Sequence, residues 1–239
     1  HSSSSASSVG HSLCRDVSHS ATTSGSSVSP GIRISSHGPG TPAARRKTST
    51  EKAMFDKQTY IARRKALHAK LSGGLVLLPG NDESPANYPG NTFRFRQDST
   101  FLYFFGLNRP GCSGLLDLDS GEDVLFGDDP TLEDIIWTGP QPSLAELAGE
   151  VGVEKTQSAA HLQKRIEAAV AKGRRILFLP PYRGETRSTM SRLLGIRADR
   201  LASYASAELA RAVVPLREVK EPAEIEEIER ACETAGKMH

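Results

Sequence analysis

The segment from Phe93 to Gly111, FRFRQDSTFLYFFGLNRPG, constrains the fold more than any other part of this chain. Phenylalanine alternates with arginine over residues 93–96, which is the period of a strand with one buried face. A continuous apolar run over residues 101–105 follows and is closed by Gly106, and such a run predicts a strand covered on both faces. An arginine beside an aromatic core needs a counter-charge, and we expect Asp98 to supply it. The segment therefore predicts strands over residues 93–106 at the centre of a fold.

Regular elements are predicted on both sides of this segment. Residues 57–71 have the apolar spacing of an amphipathic helix, and residues 75–78 form a short apolar run typical of a buried strand. Residues 113–118 and 123–126 flank Asp119-Ser120-Gly121, which predicts a hairpin. Helices are also predicted at 132–137, 143–149 and 159–170, a strand at 175–179 and a long loop at 81–91. Alternating strands and helices imply an α/β layer structure, and the hairpin implies a mixed β-sheet flanked by helices.

The first 53 residues have a different composition, dominated by Ser, Thr, Gly and Pro without any aromatic residue. Such a segment buries too little apolar surface to offset its ordering entropy, so we predict a disordered tail. It carries six basic and two acidic residues, a net charge of +4. The whole chain carries +2, so residues 54–239 carry −2, which argues against a nucleic-acid surface on the folded part. A transit peptide and upstream sequence before a start at Met54 both remain open for the tail.

The cysteine spacing and the hydropathy pattern restrict where in the cell the protein is expected. Cys14, Cys112 and Cys232 match neither a zinc spacing nor a disulfide framework, so a reducing, cytoplasmic location is expected. Cys112 and Cys232 are predicted to be small buried apolar residues. The sequence has no run of eighteen apolar residues, so no transmembrane helix is predicted.

Three stretches carry a family resemblance, in order along the chain. The run Phe95-Arg96-Gln97-Asp98-Ser99 precedes an aromatic stretch and a glycine, and residues 124–126 are followed by Ile136-Trp137-Thr138-Gly139. Residues 214–229, VPLREVKEPAEIEEIE, form the third stretch. Together they resemble the amino-terminal domain of the aminopeptidase P, prolidase and creatinase family, over residues 54–239. The similarity is greatest to Xaa-Pro aminopeptidases.

The resemblance implies a domain division. Residues 54–217 correspond to the family's amino-terminal domain, and residues 218–239 correspond to the first helix of its catalytic, pita-bread domain. From the residues themselves, Glu221-Pro222 opens a helix whose apolar positions include Ile225, Ile228 and Cys232. That apolar face has no partner after it in the sequence, so we expect the chain to be a fragment.

The resemblance also implies chemistry that this chain does not carry itself. Members of the family hold two divalent ions, usually manganese, with two Asp, one His and two Glu of the second domain. No residue here matches those ligands, so no catalytic residue and no metal ligand is assigned. His68 and His161 are expected to be surface residues, and His239 matches no ligand position. The acids that begin at Asp117 fail the calcium-loop pattern and are interpreted as turn and loop residues.

Trp137 is the one residue to which the resemblance gives a function. In aminopeptidase P the corresponding tryptophan reaches from one subunit to wall a neighbour's substrate pocket, and an indole suits packing against a proline ring. The alternative is that Trp137 is a core residue. Residues 140–142, Pro-Gln-Pro, depart from the family pattern, which leaves the shape of the following loop open. For Arg96, Gln97, Asp98 and Ser99, a buried polar bracket is favoured over a substrate or subunit contact.

The resemblance therefore implies the non-catalytic amino-terminal domain of a manganese-dependent Xaa-Pro aminopeptidase. Its expected role is to shape the active-site cleft and the contacts of a homo-oligomer that acts on proline-containing peptides. The alternatives are a non-catalytic peptide-binding or scaffolding module and the same domain of a prolidase. No membrane or nucleic-acid partner is expected.

Overall fold

The computed structural model describes residues 53–238. Residues 1–52 of the predicted tail, Cys14 among them, and His239 lie outside the described residues. The helices within the described range are α1 (Lys57–Lys70), α2 (Ser99–Phe105), α3 (Leu132–Thr138), α4 (Leu144–Glu150), α5 (Ala159–Ala171), α6 (Gly184–Leu194), α7 (Leu201–Tyr204), α8 (Ala207–Glu218) and α9 (Pro222–Met238). The strands are β1 (Leu75–Pro79), β2 (Pro85–Tyr88), β3 (Asn91–Thr92), β4 (Ser113–Asp117), β5 (Glu122–Phe126), β6 (Lys155–Gln157) and β7 (Ile176–Leu177).

Five of the strands form one sheet, in the order β6-β5-β4-β1-β7. The pairs β1–β4 and β4–β5 are antiparallel, whereas β5–β6 and β1–β7 are parallel. The predicted hairpin is confirmed, with Leu115 opposite Val124 in its register. The prediction of a loop over residues 81–91 is only partly correct, because β2 lies within it and pairs with β3 in a separate antiparallel ribbon. The sheet is therefore mixed, as the sequence predicts.

Helices cover both faces of this sheet. Leu75 and Leu77 of β1 belong to a core shared with α5, α6 and α7, whereas Val76 and Leu78 belong to a core shared with α1, α2, α4 and α8. Successive strand residues point to opposite faces, and here both faces are buried, which is why β1 is apolar without interruption. The predicted α/β fold is confirmed as three layers.

The prediction of strands over residues 93–106 is wrong. Residues 93–98 form no regular element, Phe93 is 63% exposed, and Ser99–Phe105 form helix α2. Asp98 accepts hydrogen bonds from the backbone N–H groups of Thr100 and Phe101, at 2.8 and 2.9 Å, and so caps the helix. Gly106 ends it with φ 65°, a left-handed conformation that glycine adopts without strain. A short apolar run fits a buried helix as well as a strand, and the caps decide between them.

The predicted polar bracket is present only in part. Gln97 is buried, and its Oε1 accepts hydrogen bonds from the backbone N–H groups of Asn81 and Asp98, at 2.7 and 2.8 Å. Its Nε2 donates to the carbonyl of Arg109 at 2.7 Å. Arg96 is exposed, so Asp98 is a helix cap instead of the counter-charge of an arginine. Gln97 thus joins the loop after β1 to the loop after α2.

The buried cations lie on α1, where the sequence indicates only an amphipathic helix. Arg64 is 1% exposed and donates from Nε to Asp123 Oδ2 at 2.8 Å. Its other nitrogens donate to the carbonyl groups of Phe104, Val151 and Gly152, at 2.8 to 2.9 Å. A buried guanidinium is tolerated when its donors are satisfied in this way. Arg64 therefore ties α1 to α2, to β5 and to the end of α4.

The two cysteines in the described range differ from each other. Cys112 is buried, as predicted, and burial raises the pKa of its thiol to about 11. Cys232 is exposed, so its predicted burial is wrong. The reason is that α9 has no buried residue along its whole length. The predicted helix after Glu221-Pro222 is confirmed, whereas the domain boundary at residue 217 stays a prediction.

Several further elements lie beyond what the sequence pattern predicts, namely β6, α6, α7 and α8. Strand β6 has three residues, and α8 contains Pro215 in its last turn. Neither shows a long apolar period, since β6 buries no side chain and α8 buries only Leu209, Ala212 and Val213. Among residues 53–238, no helix has the length and apolar character needed to cross a membrane.

Candidate functional site

Trp137 lies on α3, a short helix between β5 and α4. Its side chain is 71% exposed, and Ile136 and Leu132 on the same helix are 71% and 74% exposed. Ile135 is 38% exposed, so no residue of α3 is buried. The alternative that Trp137 is a core residue is therefore wrong. We call Leu132, Ile135, Ile136 and Trp137 the α3 apolar patch.

Capping groups specify α3 in the absence of burial. Thr131 and Asp134 form a capping box, in which Asp134 N donates to Thr131 Oγ1 at 3.1 Å and Thr131 N donates to Asp134 Oδ2 at 2.9 Å. At the other end, Gly139 has φ 82°, and its N–H donates to the carbonyl of Ile135 at 2.9 Å. Seven residues form a marginal helix in water, so these caps carry much of its stability. The local sequence thus encodes a helix that presents apolar side chains to solvent.

The loop before α3 is hydrogen-bonded to the loop after α2 and to the first residues of α4 and α5. Arg109 donates to the carbonyl of Asp128 at 2.6 Å, and the Asp128 side chain accepts from the N–H of Ala159 at 3.1 Å. Asp129 accepts from the N–H of Leu144 at 2.6 Å, at the start of α4. The aspartates at 128 and 129 are therefore loop residues, as predicted, and they hold the base of the segment that carries the patch.

A separate cleft of about 290 Å³ lies at the carboxyl ends of the parallel strands β1 and β7. Its lining residues are Leu77, Leu78, Pro79, Asn81, Asp98, Ser99, Thr100, Leu179, Pro180, Pro181, Tyr182 and Thr186. Asn81 is 2% exposed and donates to the carbonyl of Arg96 at 3.0 Å. The lining contains no histidine, and the carboxylate beside Ser99, that of Asp98, accepts from the N–H groups of Thr100 and Phe101 as the cap of α2. The lining residues therefore include no pair of serine and histidine.

Structural contacts engage both histidines within residues 53–238, as well as Asp117. His68, expected at the surface, is instead half-buried, and its Nε2 lies 2.8 Å from Asp123 Oδ1. His161 is exposed, as expected, and its Nδ1 lies 2.7 Å from Ser158 Oγ. Asp117 accepts from both terminal nitrogens of Arg174, at 2.5 and 3.1 Å, and is a hairpin residue as predicted. Within residues 53–238, no three His, Cys, Asp or Glu residues are grouped so that they could hold a metal ion.

Comparison with known proteins identifies the domain. Residues 60–178 match the family of the aminopeptidase P, N-terminal domain. A human Xaa-Pro dipeptidase is 28% identical over 103 residues, which are 43% of this chain and 21% of that protein. A probable Xaa-Pro aminopeptidase of Arthroderma benhamiae is 26% identical over 188 residues, 77% of this chain and 35% of the relative. A probable Xaa-Pro aminopeptidase of Talaromyces stipitatus is 30% identical over 105 residues, 44% and 21% of the two chains.

The chain thus spans about a fifth to a third of the length of these curated relatives. Two solved structures share its fold. Aminopeptidase PepP of Pseudomonas aeruginosa has a TM-score of 0.59 at 21% identity, over 72% of this chain and 40% of the other. Escherichia coli aminopeptidase P with the inhibitor Pro-Leu has a TM-score of 0.59 at 21% identity, over 75% of this chain and 42% of the other. With its mixed sheet between two helical layers, the chain therefore contains the amino-terminal domain of the aminopeptidase P family.

Proposed function

We propose that the chain is the non-catalytic amino-terminal part of a manganese-dependent, cytoplasmic Xaa-Pro aminopeptidase, where it shapes the active-site cleft and the contacts between subunits. The observation that carries this proposal is Trp137, which stands 71% exposed on a helix fixed by its own caps. The match of residues 60–178 to the family supports the parent's class of activity. The relatives named Xaa-Pro peptidases support proline-containing peptides as substrates of that parent.

The α3 apolar patch supports a contact role in an oligomer. An exposed cluster of large apolar side chains on a monomer is typical of a binding surface, and tryptophan is enriched among the residues that dominate interface energies. The caps at Thr131 and Gly139 fix the helix before any partner arrives, so little ordering entropy is lost on association. Trp137 would then lie against a neighbouring subunit, where its indole can exclude water and wall a pocket for an apolar or proline side chain.

The residues that the structure describes do not fit the two manganese ions that the family implies, because residues 53–238 contain no suitable ligand group. We therefore place the metal, and the hydrolytic step, in a part of the intact parent outside this domain. What this chain's own residues contribute is shape, contact and exclusion of water.

A prolidase is the second candidate for the parent, and the human Xaa-Pro dipeptidase among the relatives favours it. The two activities differ in the length of peptide that the cleft admits. An assay of the intact parent with a dipeptide Xaa-Pro and a matched tripeptide Xaa-Pro-Yaa separates them. A preference for the tripeptide supports the aminopeptidase, and turnover of the dipeptide alone supports the prolidase. A parent without the two-Asp, one-His, two-Glu ligand set would instead be a binding or scaffolding module.

Substitution of Trp137 in the intact parent tests the proposed role. We expect W137A to lower kcat/KM for a Xaa-Pro tripeptide by about tenfold or more, the loss that follows from removing one well-placed contact worth about 1.4 kcal/mol. W137F should retain more activity, because it keeps an aromatic face. The matched control is Y204A, which removes a ring that is 64% exposed on α7. Equal activity of W137A and Y204A, with wild-type oligomer mass in both, would refute the role of Trp137.

A further inference from the structure

Arg63 is a buried cation enclosed by aromatic rings. Its side chain is 3% exposed, although it lies on α1 beside residues that face solvent. The guanidinium carbon lies 4.0 Å from the ring centroid of Tyr103, 5.0 Å from that of Phe55 and 5.8 Å from that of Tyr60. Contacts of this kind favour a cation in a desolvated position, but they do not replace a counter-charge.

The counter-charge of Arg63 comes from Glu221, which immediately precedes α9, and from Glu224 in the first turn of that helix. One terminal nitrogen donates to Glu221 Oε2 at 3.1 Å and lies 3.4 Å from Glu224 Oε1. The other donates to the carbonyl of Tyr103 at 3.1 Å. Within residues 53–238, Arg63 Nε is the one buried side-chain nitrogen or oxygen without a hydrogen-bond partner. A buried guanidinium with an unsatisfied donor depends strongly on the charges that remain, which are these two glutamates.

Apolar packing does not fix α9. None of its residues is buried, and Ile225 and Ile228 are 45% and 47% exposed. The residues that join it to α8 are open as well, since Val219 is 76% exposed. The direction of a helix is normally set by the apolar face that it buries, and α9 buries none among the described residues. Its direction must therefore be set by the polar contacts of its first turn.

The end of α8, by contrast, has anchors of its own besides Arg63. Tyr103 Oη donates to the carbonyl of Leu216 at 2.6 Å, and Arg217 donates to Thr100 Oγ1 at 3.1 Å. Glu224 also accepts from the N–H of Glu221 at 3.0 Å, so the first turn of α9 is ordered by its own cap. The exposed joint at residues 219–220 thus lies between α8, which is fixed, and the start of α9, which Arg63 of α1 holds.

We infer that Arg63 is a positioning residue, whose buried guanidinium clamps Glu221 and Glu224 and thereby sets the direction in which α9 leaves the α/β domain. This inference goes beyond the proposed function and does not depend on it. Under the proposed function, the same angle would set how far the active-site cleft opens.

Pulsed electron-electron resonance on the full 239-residue chain tests this inference. One spin label goes on Cys232, which is exposed on α9, and a second goes on A168C, an exposed position of α5. The background carries C14S, and Cys112 is protected from labelling by its burial. We expect one narrow distance distribution in this reference protein. R63M, which keeps the bulk of the side chain and removes its charge, should give a displaced and broader distribution.

Two further variants keep the test decisive. The double variant E221Q/E224Q removes the counter-charges from the side of α9, where the glutamates are 42% and 15% exposed, so the domain should fold even if R63M does not. It should reproduce the displacement, and R63K should restore the narrow distribution in part, because it keeps the charge. The matched control is R64M, which removes the neighbouring buried arginine whose partners all lie inside the domain.

R64M should lower the unfolding midpoint and leave the distance unchanged, which separates a positioning role from a merely structural one. An unchanged distance distribution in E221Q/E224Q would overturn the inference, whatever R63M does. A displacement of the same size in R64M would overturn it as well. The measurement needs no catalytic activity, so its failure and that of the proposed function are distinguishable.

Discussion

Arg64 and Asp123 form a pair that fastens α1 to β5, with Arg64 Nε 2.8 Å from Asp123 Oδ2. The other oxygen of the same carboxylate lies 2.8 Å from Nε2 of His68, one turn further along α1. Burial lowers the pKa of Arg64, and the Asp123 carboxylate acts in the opposite direction. One carboxylate thus holds two consecutive turns of the helix against the sheet.

Loss of Arg64 should be among the most destabilising single changes in this domain. Removing one member of a buried, hydrogen-bonded pair leaves the other uncompensated, so we expect R64M to lower the free energy of unfolding by about 3–5 kcal/mol. The control is Arg197, which is 82% exposed and paired with Asp199. R197M should change the free energy of unfolding by less than about 0.5 kcal/mol. Urea denaturation monitored by circular dichroism gives both values. Similar losses in the two variants would contradict this account of α1.

The pair between Asp117 and Arg174 should make stability depend on pH in the acid range. Burial raises the pKa of Asp117, but hydrogen bonds from Arg174 and from the N–H groups of Ser120 and Asp119 outweigh it and leave the pKa at about 2, against 3.8 in the unfolded chain. A depressed folded-state pKa contributes stability that is present above the unfolded value and is lost as pH falls through the folded value.

The contribution amounts to about 2 kcal/mol above pH 5, of which about 1 kcal/mol should be lost by pH 3. The difference in unfolding free energy between wild type and D117N should therefore shrink by that amount between pH 5 and pH 3. D199N, at an exposed carboxylate, is the control. A difference between wild type and D117N that does not vary with pH would contradict the proposed pair.

Two glycines with the same backbone conformation should respond differently to alanine. Gly106 has φ 65°, and an added Cβ would lie 2.3 Å from Cζ of the buried Tyr60, whereas Gly121 has φ 72° and nothing within 4 Å of such a Cβ. Both variants carry the left-handed strain of about 1–2 kcal/mol. G106A also forces α1 and α2 apart, so its loss in unfolding free energy should exceed that of G121A by at least about 1 kcal/mol. Equal losses in thermal denaturation would show that Tyr60 does not fill this position.

Trp137 should matter little for the stability of the domain. In the 239-residue chain, W137A should change the unfolding free energy by less than about 0.5 kcal/mol, because the ring is mostly exposed. The matched change in the core is F104A, at a ring that is 0% exposed, for which we expect a loss of about 3–5 kcal/mol. Chemical denaturation of both variants checks this contrast. A large loss in W137A would mean that the ring is part of the core after all.

The layer architecture is predictable from the sequence because it depends on local patterns. The apolar run of β1, the turn residues at 119–121 and the period of α5 each identify an element without knowledge of its neighbours. The segment at 99–105 fails this test, since its apolar residues suit either a strand or a helix. Two residues decide in favour of the helix, namely the N-cap Asp98 before the run and the C-cap Gly106 after it. Both are visible in the sequence, and they predict a helix more reliably than the apolar run does.

The polar interior is not predictable in the same way. Arg64 reaches carbonyl groups 40 and 88 residues away, and no local pattern on α1 indicates that it, and not Lys65, is buried. The exposure of Trp137 cannot be predicted from the sequence either, because an apolar stretch such as Ile135-Ile136-Trp137 normally predicts burial. Only the placement of α3 outside the core shows that these side chains face solvent. In the sequence, the family resemblance is the only indication of a role for Trp137.

The most direct test of the central claim is a comparison of Xaa-Pro peptide hydrolysis by the 239-residue chain and by its intact parent, both with added Mn²⁺. We expect turnover by the parent and none by the chain, since the described residues hold no group of metal ligands. Turnover by the chain alone, or a parent that binds Mn²⁺ and leaves every Xaa-Pro peptide intact, would contradict it.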